Sequence, residues 1–146
     1  MTFFVDSFGW QFWQQYHARY AATSRVVKEG TLTPISALFP STTAGSVSTM
    51  NLGVLPAAHA LYEWNIYIPA YGEVIQSLAF CPLGRSVQDA CVAKGYDPRQ
   101  LLEVHETVHQ RLAKHGVASI QFSHRSYAGS AYNSVASAGA EVVPAF

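Results

Sequence analysis

Two histidines four residues apart frame a glutamate in the run His105-Glu106-Thr107-Val108-His109. Residues at that spacing share one face of an α-helix, so both imidazoles can reach a single Zn²⁺. The intervening Glu106 would then act as general base on a metal-bound water. This reading makes His105 and His109 metal ligands, with zinc as the cofactor of a small hydrolase. Other combinations offer less. Cys81 and Cys91 lack a zinc-ribbon spacing, and no Gly-x-Ser-x-Gly elbow accompanies the serines. Nine thinly spread acids supply no carboxylate pair for glycoside chemistry. The glycine-bearing stretch at Gly45 lacks a following Gly-Lys-Ser/Thr, so it is no phosphate loop.

The spacing resembles the signature of zinc peptidases. His115, ten residues beyond His105, resembles the third histidine of the metzincin family. There a glycine turns the chain between the second and third ligands, whereas here Leu112 holds that place. An unbroken helix carries His115 about 15 Å along the axis from His105, too far for one ion with ligands at about 2.0–2.2 Å. His17, His59, His124 and Glu141 remain as ligands from elsewhere. Glu103 and Arg111 put charges where zinc peptidases have uncharged neighbours, and neither methionine, Met1 or Met50, follows the motif. On a helical wheel His105 lies about 40° and His109 about 80° from Leu101. That flank of the apolar stripe suits a packing seam as well as a metal.

A helix over residues 97–116 must position the motif. Asp97 reads as its N-cap and Pro98 as its first residue. Lys114 and His115 suit its negative end, and Gly116 a left-handed stop. Upstream, Ser86-Val-Gln-Asp89 opens a short helix closed by Gly95. The run from Ser86 through Gly95-Tyr96 to Gln100-Leu101 resembles the small C-terminal helical segment of fumarase-type lyases, and no lyase active site comes with it. The same two helices resemble a DNA-binding helix–turn–helix, whose second helix would present Arg99 beside Glu103 and Glu106.

Charge is scarce and unevenly placed. Only 12% of the 146 residues are charged, against roughly 25% in an average domain. None lies between Glu29 and Glu63, and only Glu141 lies beyond Arg125, while residues 85–114 hold nine of the eighteen. A free monomer normally uses charge to stay apart from its neighbours. Long aromatic, Ser/Thr/Ala-rich segments without charge therefore imply surface covered by another chain. A net charge of zero argues against a nucleic-acid partner.

The length suits a single domain over residues 1–146. Residues 3–29 read as an aromatic N-terminal helix capped at Asp6-Ser7, with Phe8, Phe12, Tyr16 and Tyr20 recurring every four residues. Residues 30–56 read as an uncharged loop or arm, because Pro34 and Pro40 break its periodicity. Residues 57–116 read as a helical core. Within it a helix can start at Pro56 and 71–80 looks helical, while Asn65-Ile-Tyr-Ile68 alternates as a strand would, which leaves helix and strand both open there. Residues 117–146 read as an extended segment that a neighbouring subunit orders, with a strand over 117–122. The expected fold is mainly α, with short β or extended segments and an extended C-terminal tail. No apolar run is long enough to span a membrane, and no basic leader followed by an apolar core is present to read as a secretory signal. With two cysteines, a reduced intracellular setting or an assembled particle follows.

The expected function is thus a non-enzymatic structural subunit, packing against copies of itself or other subunits through Phe8, Phe12, Tyr16, Tyr20, Tyr127 and Tyr132. A virion-type shell, tail or connector component is an example. The zinc hydrolase is the alternative and the helix–turn–helix regulator the third.

Overall fold

The structure, a computed structural model, describes every residue except Met1, Phe3, Asp6, Val104, His105 and Phe146. The chain falls into two compact units, Met1–Ala37 and Leu38–Phe146.

The N-terminal unit holds two helices, α1 (Trp10–Tyr16) and α2 (Ala21–Glu29), joined by a 3-10 turn at His17–Arg19. The single helix expected over 3–29 is therefore interrupted, and the Asp6 half of its expected cap lies outside the described residues. Tyr20 is extended (φ −124°, ψ 133°). The Thr23 hydroxyl donates to the His17 carbonyl (2.7 Å) and to that of Tyr20 (3.1 Å), offering those carbonyls a partner other than the helix ladder. Gly30 ends α2 as expected.

The second unit is mixed α/β. Its helices are α3 (Thr43–Leu52), α4 (Pro56–His59), α5 (Ala90–Ala93), α6 (Val108–Lys114), α7 (Arg125–Ala128) and α8 (Ala131–Ala136). An antiparallel sheet joins β1 (Asn65–Ile68), β2 (Glu73–Gln76) and β3 (Cys81–Pro82), and a parallel pair joins β4 (Ile120–His124) and β5 (Glu141–Ala145). Two sheets and 14% strand beside 41% helix correct the mainly-α expectation.

The corrections have local causes. Residues 71–80 form β2 and its turns because Ile75, fully buried, pairs with Ile66 across the hairpin. The 30–56 arm contains α3, whose Thr42 cap accepts from Gly45 N–H and donates to the Tyr62 carbonyl (3.0 Å). Ala44, Gly45, Ser48 and Leu52 are its buried stripe. The helix expected over 97–116 breaks after one 3-10 turn at Pro98–Leu101, although Asp97 caps it and Pro98 opens it as expected. Leu101 and the next residue, Leu102, are both buried. Leu102 ends the turn in an extended conformation (φ −131°, ψ 133°), which carries the chain out of the helix while both leucines stay in the core. The helix–turn–helix shape is accordingly absent, with a four-residue α5 and a 3-10 turn in its place. Asp89 has φ 58°, and its carboxylate accepts from Ala131 N–H at the start of α8 (3.0 Å) rather than capping a helix over 86–95.

The core gathers Leu52, Leu61, Ile66, Ile75, Phe80, Cys91, Leu101 and Leu102 with Tyr132 and Ala136 of α8. The C-terminal segment expected to be an extended tail is folded, and α8 closes the core.

Candidate functional site

The proposed zinc motif is divided by the start of α6. Thr107 is the N-cap, in a reciprocal capping box with Gln110: Gln110 N–H donates to the Thr107 hydroxyl (3.0 Å), and Thr107 N–H to Gln110 Oε1 (2.9 Å). Glu106 lies before the helix and His109 on its first turn. His105 lies outside the described residues. The Glu106 carboxylate pairs with Lys114; that hydrogen bond holds its pKa below the usual value. Among the described residues no three His, Cys, Asp or Glu side chains are placed to hold a metal. His109 Nε2 instead meets Asn51 Oδ1 (3.2 Å), and Arg111 Nη2 donates to the Leu52 carbonyl at the end of α3 (2.7 Å). His109 thus stands at the seam between α6 and α3.

A hydroxyl–imidazole pair unmarked by any sequence motif lies inside the core. His59 is fully buried, its Nε2 3.0 Å from Thr49 Oγ1 and its Nδ1 accepting from Leu61 N–H (3.1 Å). Accepting at Nδ1 leaves the proton on Nε2, so the ring donates to Thr49. A general base needs the opposite tautomer. The pair is structural. Ser48 and Tyr132 form a second buried contact (2.8 Å).

Burial lowers the pKa of His59. The folded state therefore resists a proton that the unfolded chain takes up near its ordinary pKa of about 6.5. His59 costs no stability above that value. As pH falls through and below about 6.5 the unfolded state binds the extra proton and stability drops. Between about pH 7.5 and 5 the urea midpoint should fall more in the native protein than in His59→Gln. Parallel pH profiles would show that His59 is not the responsible group.

Two further sets of reactive side chains are buried or paired. Cys81 and Cys91 are free, buried thiols, and burial pushes Cys91 up to about 11, away from the reactive thiolate. Glu73 accepts from the Tyr96 hydroxyl (2.7 Å) and pairs with Lys94, whose hydrogen bond lowers its pKa. Tyr96 stacks on Tyr71 at 3.9 Å. Two open clefts flank α6. One of about 690 Å³ is lined by Glu106, Gln110, Ala113, Lys114 and Gly139, and its two charges neutralise each other. The other, about 420 Å³, lies beside Asp97, Arg99 and Val135. Neither gathers an acid–base or nucleophilic set.

Exposed apolar surface is the more distinctive feature. In the N-terminal unit no described residue is buried. Phe12 is 51% and Tyr20 64% exposed. Its ring contacts are local: Phe8 edge-on to Trp13 (6.3 Å), Phe12 stacked on Tyr16 (6.2 Å), and Arg19 over Tyr16 (4.9 Å). In the second unit Ile120 is 57% and Phe122 67% exposed; both lie in the stretch whose alternation suggests a strand over 117–122, but neither is among the expected interface residues. Tyr127 is exposed beside His124, whereas Tyr132, expected at an interface, is buried in the core. Among the described residues no helix is long and apolar enough to cross a membrane. Comparison with protein-family models, with curated proteins and with solved structures finds no match.

Proposed function

We propose that the chain is a non-enzymatic structural subunit that packs against other chains through its aromatic N-terminal unit. The observation that carries this reading is the unburied state of that unit. Phe8, Trp10, Phe12 and Tyr20 are all exposed, and the ring contacts they make are with near neighbours in sequence. A fully covered large side chain gains about 1.5–3 kcal/mol over an exposed one. Several aromatics on two short helices therefore represent a large association energy not yet realised within the unit. The scarcity of charge across 30–62 and 126–146 supports the same reading, since interface centres are depleted of charge and enriched in aromatics.

Sedimentation of the full chain tests it. The native protein should run as a species heavier than one chain, and Phe12→Ser/Tyr20→Ser should shift it toward the single-chain mass with an unchanged far-ultraviolet spectrum. A native protein that sediments as a single chain at concentrations on the order of tens of micromolar overturns the proposal.

A further inference from the structure

The parallel pair β4–β5 is the whole of its sheet, so each strand has one long edge without a strand partner among the described residues. Two strands alone are marginal, and parallel strands are normally covered on both faces. Here Ile120 and Phe122 stand exposed on one face, with His124 beyond them.

The two edges differ in kind. Glu141 N–H donates to the Ser119 carbonyl (2.9 Å), and Ile120 lies in register with Glu141. In a parallel ladder this turns the amide groups of Ser119, Gln121 and Ser123 toward β5, and those of Ile120 and Phe122 toward the open edge. On β5, Glu141, Val143 and Ala145 face β4, which leaves Val142 and Pro144 outward. Proline at that outward position removes a donor that would otherwise invite pairing, and Glu141 adds a charge. Both are devices that blunt an edge. The β4 edge has neither. Residues 117–124, Val-Ala-Ser-Ile-Gln-Phe-Ser-His, contain no proline, lysine, arginine or acid.

We propose that the open edge of β4 pairs antiparallel with β4 of a second copy, giving a four-stranded sheet in the order β5-β4-β4-β5. The inference rests on the assembly reading and names one of its contacts. The occupant is another copy because the edge is complementary to itself. A two-fold axis at Phe122 sets Phe122 opposite Phe122, a hydrogen-bonded pair that uses the amide groups left open, and sets Ile120 opposite His124. No like charges meet. Glu141 shares a face and a register position with Ile120. The partner's His124 therefore falls on the same face as this Glu141, two strand spacings or about 10 Å away, base toward acid at both ends. The facing phenyl rings add an aromatic cross-strand pair.

Two variants of the full chain test this. Phe122→Cys should form a covalent dimer under mild copper-phenanthroline oxidation, because the paired Cα atoms fall near 5.5 Å, within disulfide reach. Gln121→Cys, on the opposite face and off the axis, should yield on the order of tenfold less. Phe122→Lys sets two ammonium groups face to face and should halve the sedimenting mass. Equal cross-linking at the two cysteines, or an undiminished mass in Phe122→Lys, overturns the β4 contact. If the native protein is still heavier than one chain, the assembly reading survives that result. A single-chain native mass removes both.

Discussion

Replacing Gly139 with alanine is expected to cost about 2–4 kcal/mol of folding stability. Gly139 turns the chain from α8 into β5 with φ 89°, a conformation that costs a side-chain-bearing residue about 1–2 kcal/mol. Space is the second problem. A Cβ there would lie 2.8 Å from Gln110 Cγ, 2.9 Å from its backbone nitrogen and 3.1 Å from its Cα. Gln110 cannot step aside, because both its N–H and its Oε1 are engaged in the capping box with Thr107. The Thr107 hydroxyl in turn donates to the Ala138 carbonyl, next to Gly139. The alanine would therefore push on the start of α6 and the end of α8 together. Gly116→Ala is the control: its φ is 73°, but open space surrounds the added methyl. It should cost only about 1 kcal/mol. Urea unfolding of the two variants side by side separates backbone conformation from collision, and equal costs would show that the collision is relieved.

Phe80→Ala should cost about 3–5 kcal/mol. The ring is fully buried, with Tyr71 edge-on to it at 6.4 Å. Its backbone adopts φ 44°, its N–H donates to the Ser77 carbonyl (3.2 Å), and its carbonyl accepts from Cys91 N–H (3.1 Å). These bonds hold the residue where the β-sheet meets α5, so the surroundings cannot collapse into the space left by the ring. Val87→Ala, at a site 67% exposed, should stay within about 0.5 kcal/mol. A Phe80→Ala cost as small as that of Val87→Ala in urea titration would mean that Phe80 does not anchor the core.

What the sequence made legible is local chemistry. Asp97-Pro98 opens a helical turn, Pro56 begins α4 and Gly116 is left-handed; the alternation of Asn65–Ile68, which left helix and strand open, is a strand. Each is decided within a few residues by caps, by φ or by period. The mistakes came where distant partners decide. Glu73–Gln76 has as good a helical face as a strand face until Ile66 pairs with Ile75. Leu101 and Leu102 look like helix until both are needed in one core. The Thr107-x-x-Gln110 box is a helix-start signal that competes with the uninterrupted helix the His-Glu-x-x-His spacing needs. The metal reading of the spacing needs a helix running through the whole motif, whereas α6 begins at Val108 and His105 lies outside the described residues. Burial of Tyr132 could not be read from the uncharged Ala/Ser-rich segment around it, because its hydroxyl partner, Ser48, is 84 positions away.

That separation also orders events in time. Ser48 lies on α3 and Tyr132 on α8, so the hydrophobic surface assembled by α3, β1 and β2 has no lid until nearly the whole second unit has been synthesised. A nascent chain must carry that surface without α8 while residues 77–136 are made, a period when intermolecular sticking competes with closure. Chains interrupted before α8 would retain most of the apolar residues of the core without the helix that shields them, and would be natural clients for chaperones or proteases. Completion of α8 is the step that converts an adhesive intermediate into a closed fold.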